Sequence, residues 1–289
     1  MKKFIILMPL YNDWESVSKL LEQIDSQTNI WDTEVSIVIV NDASTEERVN
    51  LKFDFKKIKK VKILNMKENI VHQRCIATGL IYISENEDFD HVIVMDADGE
   101  DRPEELNDFF NKAKENPSMT ITGNRFKRSE GPIFRFLYEV HKILALILTG
   151  KLIKFGNFSC VPKNHVKELI KKPYLWNSYS SSIIKTIKER TFIKSIRGIR
   201  YVQPSKMNFL GLIFHSLSII SVFRNEVIMR SIIFFSVYLF LIFENISSLT
   251  LTPLIFFIIL FFSILKISLR TNINGLNKSL NNIESIDIL

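Results

Sequence analysis

Short apolar runs punctuate the first half of the chain: Phe4-Ile5-Ile6-Leu7-Met8, Val35-Ser36-Ile37-Val38-Ile39-Val40, Val61 to Leu64, His91-Val92-Ile93-Val94-Met95 and Met119 to Thr122. Between them lie amphipathic segments of helix length, from Asn12 or Asp13 to about Gln27, from Ile70 to Ser84 and from Arg102 to Glu115. Glu15, three residues past Asn12, suits a capping box, and Pro103 opens the third helix. Near-continuous apolar strands alternating with helices are what parallel strands covered on both faces look like. The expected fold is α/β, a doubly wound, mostly parallel sheet. A further helix, Pro132 to Leu148, carries Arg135, Glu139, His141 and Lys142, which suits a packed or interfacial position better than a membrane span; Gly150 ends it.

Beyond Lys206 the polar character collapses. Asn208 to Phe223 is amphipathic at best and would lie flat on a bilayer or on the preceding domain. Val227 to Phe243 is apolar apart from Arg230, and Asn245 to Leu265 has no charge; at 1.5 Å per residue each is about long enough to cross ~30 Å of hydrocarbon. The two read as a transmembrane hairpin. Arg224 and Arg230 before it and Lys266 and Arg270 after it place both ends in the cytoplasm, with Glu244 in the outer turn. The expected organisation is a catalytic domain over 1–206, an interfacial segment over 207–226, a transmembrane hairpin over 227–270 and a polar cytoplasmic tail over 271–289. A pair of core helices in a soluble protein is the bland alternative.

Composition fits this division. The 289 residues are 46% hydrophobic with a formal net charge of +7, the apolar excess falling after Met207 and the basic excess largely between Lys163 and Lys206. Cys75 and Cys160 form no C-x-x-C and no zinc-ligand spacing, which argues against disulfides and structural zinc. Met1-Lys2-Lys3 and the apolar residues after it lack a small-residue cleavage site, so they read as the first strand and not as a signal peptide.

Chemistry collects at strand ends. The first strand runs into Pro9-Leu10-Tyr11-Asn12-Asp13, the second into Asn41-Asp42-Ala43-Ser44-Thr45, and the fourth into Asp96-Ala97-Asp98, followed by Glu100 and Asp101. Ligands of open α/β sheets bind beyond the carboxyl ends of the strands, so these clusters are expected to converge on one crevice. Carboxylates one residue apart at a strand exit can both reach a hard cation such as Mg²⁺ or Mn²⁺, although a lone D-x-D is also common in solvated loops.

With these three strand ends in order, the chain resembles the large inverting glycosyltransferase family with the GT-A fold. Asn69-Ile70-Val71-His72-Gln73-Arg74, Asp101-Arg102-Pro103-Glu104, and Arg200 with Ser205-Lys206 further resemble its polyprenyl-phosphate branch, the dolichol-phosphate-mannose-synthase-like enzymes, whose members end in membrane helices. The resemblance implies a nucleotide pocket at Asp42 lined by Pro9, Leu10, Tyr11 and Asn12. It implies a metal held by Asp98 and Asp96, with Glu100 as a further ligand where relatives often have Gln, and phosphate contacts from His72, Arg125, Arg200, Ser205 and Lys206. Asp96, Asp98 and Arg200 are the expected catalytic residues. Taken alone, Asp42 equally suits a helix cap, His72 a core histidine, and Lys127 and Arg128 a solvated surface.

A sugar hydroxyl must lose a proton as it attacks, whereas a phosphate monoester with a second pKa of about 6 is largely dianionic at neutral pH. Relatives commonly carry Gly-Asp-Phe-Arg where this chain has Gly156-Asn157-Phe158-Ser159, and an amide is no base; Gln203-Pro204 also replaces a Gly-Glu pair. Trp176 and Tyr179 suit the core better than a sugar-stacking role. The leading expectation is a membrane-anchored, Mg²⁺- or Mn²⁺-dependent transferase moving a hexose from a nucleotide-sugar to a polyprenyl phosphate on the cytoplasmic leaflet, with no nucleic-acid partner and with oligomerisation open. The rivals are a transferase acting on a saccharide or glycolipid hydroxyl and a catalytically silent nucleotide- or lipid-binding scaffold.

Overall fold

The computed structural model describes residues 2–27, 33–49, 51, 55–127, 132–202 and 209–289. The chain divides into two compact units. One comprises Met1–Ser129, Lys154–Pro204 and Ile273–Leu289, the other Glu130–Ile153 and Ser205–Asn272.

The first unit is built on an eight-stranded sheet. Its strands are β1 (Lys2–Leu10), β2 (Thr33–Asn41), β3 (Ile58–Met66), β4 (His91–Val94), β5 (Thr120–Lys127), β6 (Phe155–Pro162), β7 (Arg190–Ile196) and β8 (Ile283–Ile288), in the spatial order β7-β5-β6-β4-β1-β2-β3-β8. β1 is parallel to β2 and β4, β2 to β3, and β5 to β7, whereas β6 runs antiparallel between β4 and β5 and β8 antiparallel against β3.

Period-2 geometry gives each inner strand two apolar faces. Phe4, Ile6, Met8 and Leu10 of β1 point into one core with Val17, Leu20 and Leu21 of helix α1 (Trp14–Gln27). Ile5 and Leu7 point into the other, with Cys75, Ile76 and Leu80 of α2 (His72–Asn86). Helix α3 (Leu106–Glu115) presents Phe109 and Phe110 to the first core. Two short helices, α5 (Lys163–Leu169) and α6 (Tyr179–Thr186), follow α4 (Pro132–Thr149) of the other unit and pack Val166, Leu169, Tyr179 and Ile183 into the second core. Each such buried side chain contributes roughly 1.5–3 kcal/mol, and a one-residue slip of β1 would exchange its faces, so the register is strongly set. Trp176 and Tyr179 are buried, as expected of core residues, and both cysteines are free and buried.

Three strands escape the expectation from periodicity. β6 is interrupted by glycine and asparagine, β7 mixes Arg190 and Lys194 with hydroxyl and apolar residues, and β8 lies in the segment expected to be a polar tail. That tail is instead an edge strand and its approach: Leu276 is buried in the second core, Leu64 pairs with Ile286, and Arg48 holds Asp287 at 2.6 Å.

The second unit is helical. It holds α4, α7 (Phe209–Ser221), α8 (Arg224–Ile242) and α9 (Ser248–Ser268). α8 and α9 are long and apolar enough to cross a membrane. They form an antiparallel hairpin in which Phe234 packs on Phe257 with centroids 4.1 Å apart and the Tyr238 hydroxyl donates to the Thr250 carbonyl at 2.9 Å. Ser247 and Thr250 close a capping box at the start of α9. Phe240 and Leu249 are 81% and 84% exposed, which water would not favour across so many large apolar side chains.

Candidate active site

The parallel strands β1, β2 and β4 end side by side, and their exit loops carry the expected site residues. At the β1 and β2 exits Asn12 and Asp42 bind mainly backbone, while Asp13 faces a side-chain cation, Arg200. The Asn12 carboxamide oxygen accepts the N–H groups of Thr45 at 2.7 Å and Glu46 at 3.0 Å, its amide nitrogen donates to the Thr45 hydroxyl, and its own N–H donates to Ser44 Oγ. Asn12 thus staples the first exit loop to the second, in a left-handed conformation with φ 50° that asparagine tolerates well. Pro9 and Leu10 are buried, and Tyr11 is exposed beside them.

Asp42 is 3% exposed, and its two carboxylate oxygens accept the N–H groups of Ile70 at 2.6 Å and Val71 at 3.1 Å. Burial raises its pKa against these hydrogen bonds, and the neighbouring Cys75 thiol is pushed up by burial and by Asp42. The carboxylate therefore orders the entry to α2, where Val71 has φ 78°. Its bonds go to the turn before α2 and not to the N–H groups of that helix's first turn.

At the β4 exit the carboxylates bind side-chain cations. Asp98 Oδ2 lies 2.6 Å from Arg200, whose other terminal nitrogen lies 3.0 Å from Asp13, while Asp98 Oδ1 accepts the Glu100 N–H at 2.9 Å. Glu100 pairs with Arg197. Asp101, 2% exposed, accepts the Asp96 N–H at 2.9 Å and lies 3.6 Å from Arg125. Asp96 Oδ1 is 3.2 Å from His72 Nε2 and accepts from the Asn157 amide at 3.1 Å.

The electrostatics follow from burial and crowding. Burial raises Asp98, and the charges of Asp96 and Glu100 raise it further; Asp101 is raised by burial and by Asp96. Burial would also raise Asp96, but His72, Arg125 and Asn157 together hold it well below the usual carboxylate range. Burial opposes the imidazolium of His72, yet the bond to Asp96 and the charges of Asp98 and Asp42 raise its pKa overall. The result is a concentration of negative charge matched by exchangeable cations.

The backbone is shaped for this arrangement. Gly99 has φ 85°, and a Cβ there would stand 2.6 Å from the ring of Tyr201, whose N–H donates to the Asp98 carbonyl at 3.0 Å. The Gly198 N–H donates to the Glu100 carbonyl at 2.8 Å. Residues 197–202 are thereby strapped to the acidic loop by backbone as well as by Arg197 and Arg200.

The structure thus gathers Asp96, Asp98, Glu100, His72, Arg125 and Arg200 in one neighbourhood. Ser205 and Lys206 lie outside the described residues. Among the described residues no three His, Cys, Asp or Glu side chains converge as a ready set of metal ligands. Asp96, Asp98 and Glu100 each face a different cation or donor, and Arg125, expected on phosphate, sits against Asp101. The donor set still fits a hard divalent ion, since Asp96 and Asp98 offer carboxylate oxygens whose present partners are side chains. Gln73 and Arg197 were not singled out from the sequence, and Asp13 only as a helix start and a member of the first strand-end cluster. Their roles depend on contacts across the fold, although Gln73 falls inside the motif of residues 69–74.

The sheet and its strand-end carboxylates define a GT-A-like fold, and the model of Glycosyl transferase family 2 matches residues 5–170. The chain belongs to that family. It is 22% identical over 219 residues to an uncharacterised glycosyltransferase of Synechocystis sp., a stretch covering 72% of this chain and 65% of the relative. It is likewise 22% identical over 223 residues to the undecaprenyl-phosphate 4-deoxy-4-formamido-L-arabinose transferase of Klebsiella pneumoniae, covering 73% of this chain and 64% of that enzyme. The chain spans a little under two thirds of the length of these relatives. In fold it is similar to glucosyl-3-phosphoglycerate synthase of Mycobacterium tuberculosis, crystallised with Mn²⁺, UDP-glucose and phosphoglyceric acid, with a TM-score of 0.56 at 12% identity over 78% of this chain and 80% of that one.

Proposed function

We propose that the protein is a membrane-anchored, inverting glycosyltransferase that moves a hexose from a nucleotide-sugar to a polyprenyl phosphate on the cytoplasmic leaflet. The observation that carries this reading is the β4 exit, where Asp96, Asp98, Glu100 and Asp101 are each matched to an exchangeable cation at the carboxyl edge of a parallel sheet. Structural ion pairs gain little from such crowding. A site that must accept a cation and an anionic substrate gains a great deal.

Departure of a nucleoside diphosphate from the anomeric carbon develops negative charge on the leaving oxygen. Mg²⁺ or Mn²⁺, held by Asp96 and Asp98, would neutralise that charge. Arg200, shared between Asp98 and Asp13, is positioned to exchange an acidic side chain for a phosphate, and its planar fork suits either. His72, at the start of α2 and bonded to Asp96, keeps a second cationic group at the same acid.

The acceptor follows from Asn157. It stands where relatives carry an acid, and its amide is committed as a donor to Asp96, so a general base is absent from that position. A phosphate dianion attacks without one. The relatives that act on undecaprenyl phosphate support the same acceptor class. The apolar hairpin of α8 and α9, with Arg224 and Arg230 in the first two turns of α8, Lys266 in the last turn of α9 and Arg270 just beyond it, supports a membrane anchor with both ends cytoplasmic.

The test uses membranes containing the full chain, a panel of labelled nucleotide-sugars, undecaprenyl phosphate and Mn²⁺ or Mg²⁺. The expected product is a labelled lipid whose formation stops with a chelator. Labelling of a saccharide in place of the lipid would replace the acceptor, and absence of transfer from every donor would leave the scaffold reading.

A further inference from the structure

Resting on the proposed site, we infer that Gln73, acting through Asn157, is a positioning residue that fixes the free face of Asp96. Gln73 is 6% exposed and Asn157 9%, so both amides must find their partners inside the protein. The Tyr179 N–H, at the first turn of α6, donates to Gln73 Oε1 at 2.7 Å. A backbone N–H can only donate, so this contact sets which end of the Gln73 amide is oxygen. The Gln73 nitrogen then donates to Asn157 Oδ1 at 3.2 Å, which turns the Asn157 nitrogen toward Asp96 Oδ1 at 3.1 Å and His72 Nε2 at 2.9 Å. One N–H on α6 thus dictates, through two amides, that Asp96 receives a donor on Oδ1. Asp96 Oδ2 remains on the other side for a ligand.

The backbone places Asn157 for this task. Thr122 pairs with Ser159 and Asn124 with Phe155, so Gly123 alone faces the three residues Gly156, Asn157 and Phe158 of β6. Such a bulge re-aims a side chain, and it occurs where β6 passes the last paired residue of β4, Val94. An aspartate at 157 would put a carboxylate against Asp96, so the amide and the relay that orients it belong together. The two uses of His72 Nε2 exclude each other: protonated, it donates to Asp96, and unprotonated, it accepts from Asn157. Asn157 serves as a donor in both.

Two variants separate positioning from charge. Gln73→Glu keeps the acceptor for the Tyr179 N–H, presents a second acceptor to Asn157 and forces its amide to turn over. Gln73→Met fills similar volume and transmits nothing. Mn²⁺ binding to the detergent-solubilised full chain, followed by loss of the free-ion electron paramagnetic resonance signal, is expected to weaken about ten-fold or more in both, as for other residues that orient metal ligands. A charge effect alone predicts tighter binding in Gln73→Glu. Tighter or unchanged binding in Gln73→Glu, with a melting temperature near wild type, overturns the relay; should Gln73→Met not fold, Gln73→Glu decides alone. Failure of the wild-type chain to bind Mn²⁺ overturns the metal reading of the site and the relay with it, a result distinct from any in which only the variants misbehave.

Discussion

The exits of β1 and β2 and the exit of β4 present the same sequence pattern, an apolar strand running into asparagine or aspartate, and the fold uses the two regions differently. Asn12 and Asp42 give their oxygens to backbone N–H groups of Thr45, Glu46, Ile70 and Val71. Asp98, Glu100 and Asp101 face guanidinium groups, and Asp96 an imidazole. Backbone partners cannot leave without unfolding a loop, whereas side-chain cations can be exchanged for a metal or a substrate. The contacts of Asn12 and Asp42 are fixed and those beyond β4 are replaceable, Asp13 of the β1 exit belonging with the second group through Arg200. A polar residue at a strand exit becomes functional when its partner is replaceable.

The largest test of this division is Asp98→Ala. Transfer activity should fall by about 10²–10³-fold, the loss typical of one preorganised electrostatic contact. Thermal stability should hold or rise, because Asp98 is buried among like charges and Arg200 keeps Asp13. A variant that melts far below wild type would erase the distinction between the regions.

Asp42→Asn should behave in the opposite way. The substituted amide still accepts from one of Ile70 and Val71 but opposes a donor to the other, and an N–H left unsatisfied there costs roughly 1–3 kcal/mol. A melting temperature lowered by several degrees is expected, read by differential scanning fluorimetry. Unchanged stability with a raised KM for the nucleotide-sugar would make Asp42 a nucleotide contact and move this exit into the functional class.

Much of this was legible in the sequence. The strands that seed the parallel sheet, the helices between them and the convergence of three polar exits follow from periodicity, and Asp96, Asp98, His72 and Arg200 fall in one neighbourhood. What periodicity hides is non-local. β6 is broken by a bulge, β7 carries Arg190 and Lys194 in a segment that reads as a basic surface, and β8 becomes a strand only because β3 offers it an edge. The same holds in the site. An aspartate looks alike whether its partner is the Val71 N–H or Arg200, and only the fold tells them apart.

Gly99→Ala probes how the acidic loop is held. An L-residue at φ 85° costs roughly 1–2 kcal/mol, and the added methyl meets the Tyr201 ring. A small loss of stability is expected together with a larger loss of activity, because Tyr201 and Arg200 share the strap that reaches Asp98. The β1 and β2 exits should be untouched, with Asn12 and Asp42 contacts intact.

The finest distinction is in pH. Asp98 and Asp101 have raised folded-state pKa values, Asp101 to about 8, through burial and neighbouring carboxylates. For an acid raised on folding, the stabilisation is fully present below its unfolded value and is lost as pH rises through the folded one. His91 works the other way: burial lowers it to about 4, so its stabilisation is lost as pH falls from about 6.5, and above that pH it contributes no slope. Between pH 6.5 and 8 the metal-free protein should therefore melt at lower temperature as pH rises, by at most about 1.4 kcal/mol per pH unit for Asp101; Asp98, raised to about 6, acts below this window, and His72, raised by Asp96, adds a slope of the same sign within it. Asp101→Asn, which still accepts the Asp96 N–H, should flatten the slope, and so should Mg²⁺ or Mn²⁺ by neutralising the same acids. Asp42→Asn should leave the cation-sensitive part of the slope in place, since the Asp42 carboxylate is already held by backbone. A slope indifferent to divalent cations would mean that the carboxylates beyond β4 are as fixed as those beyond β2.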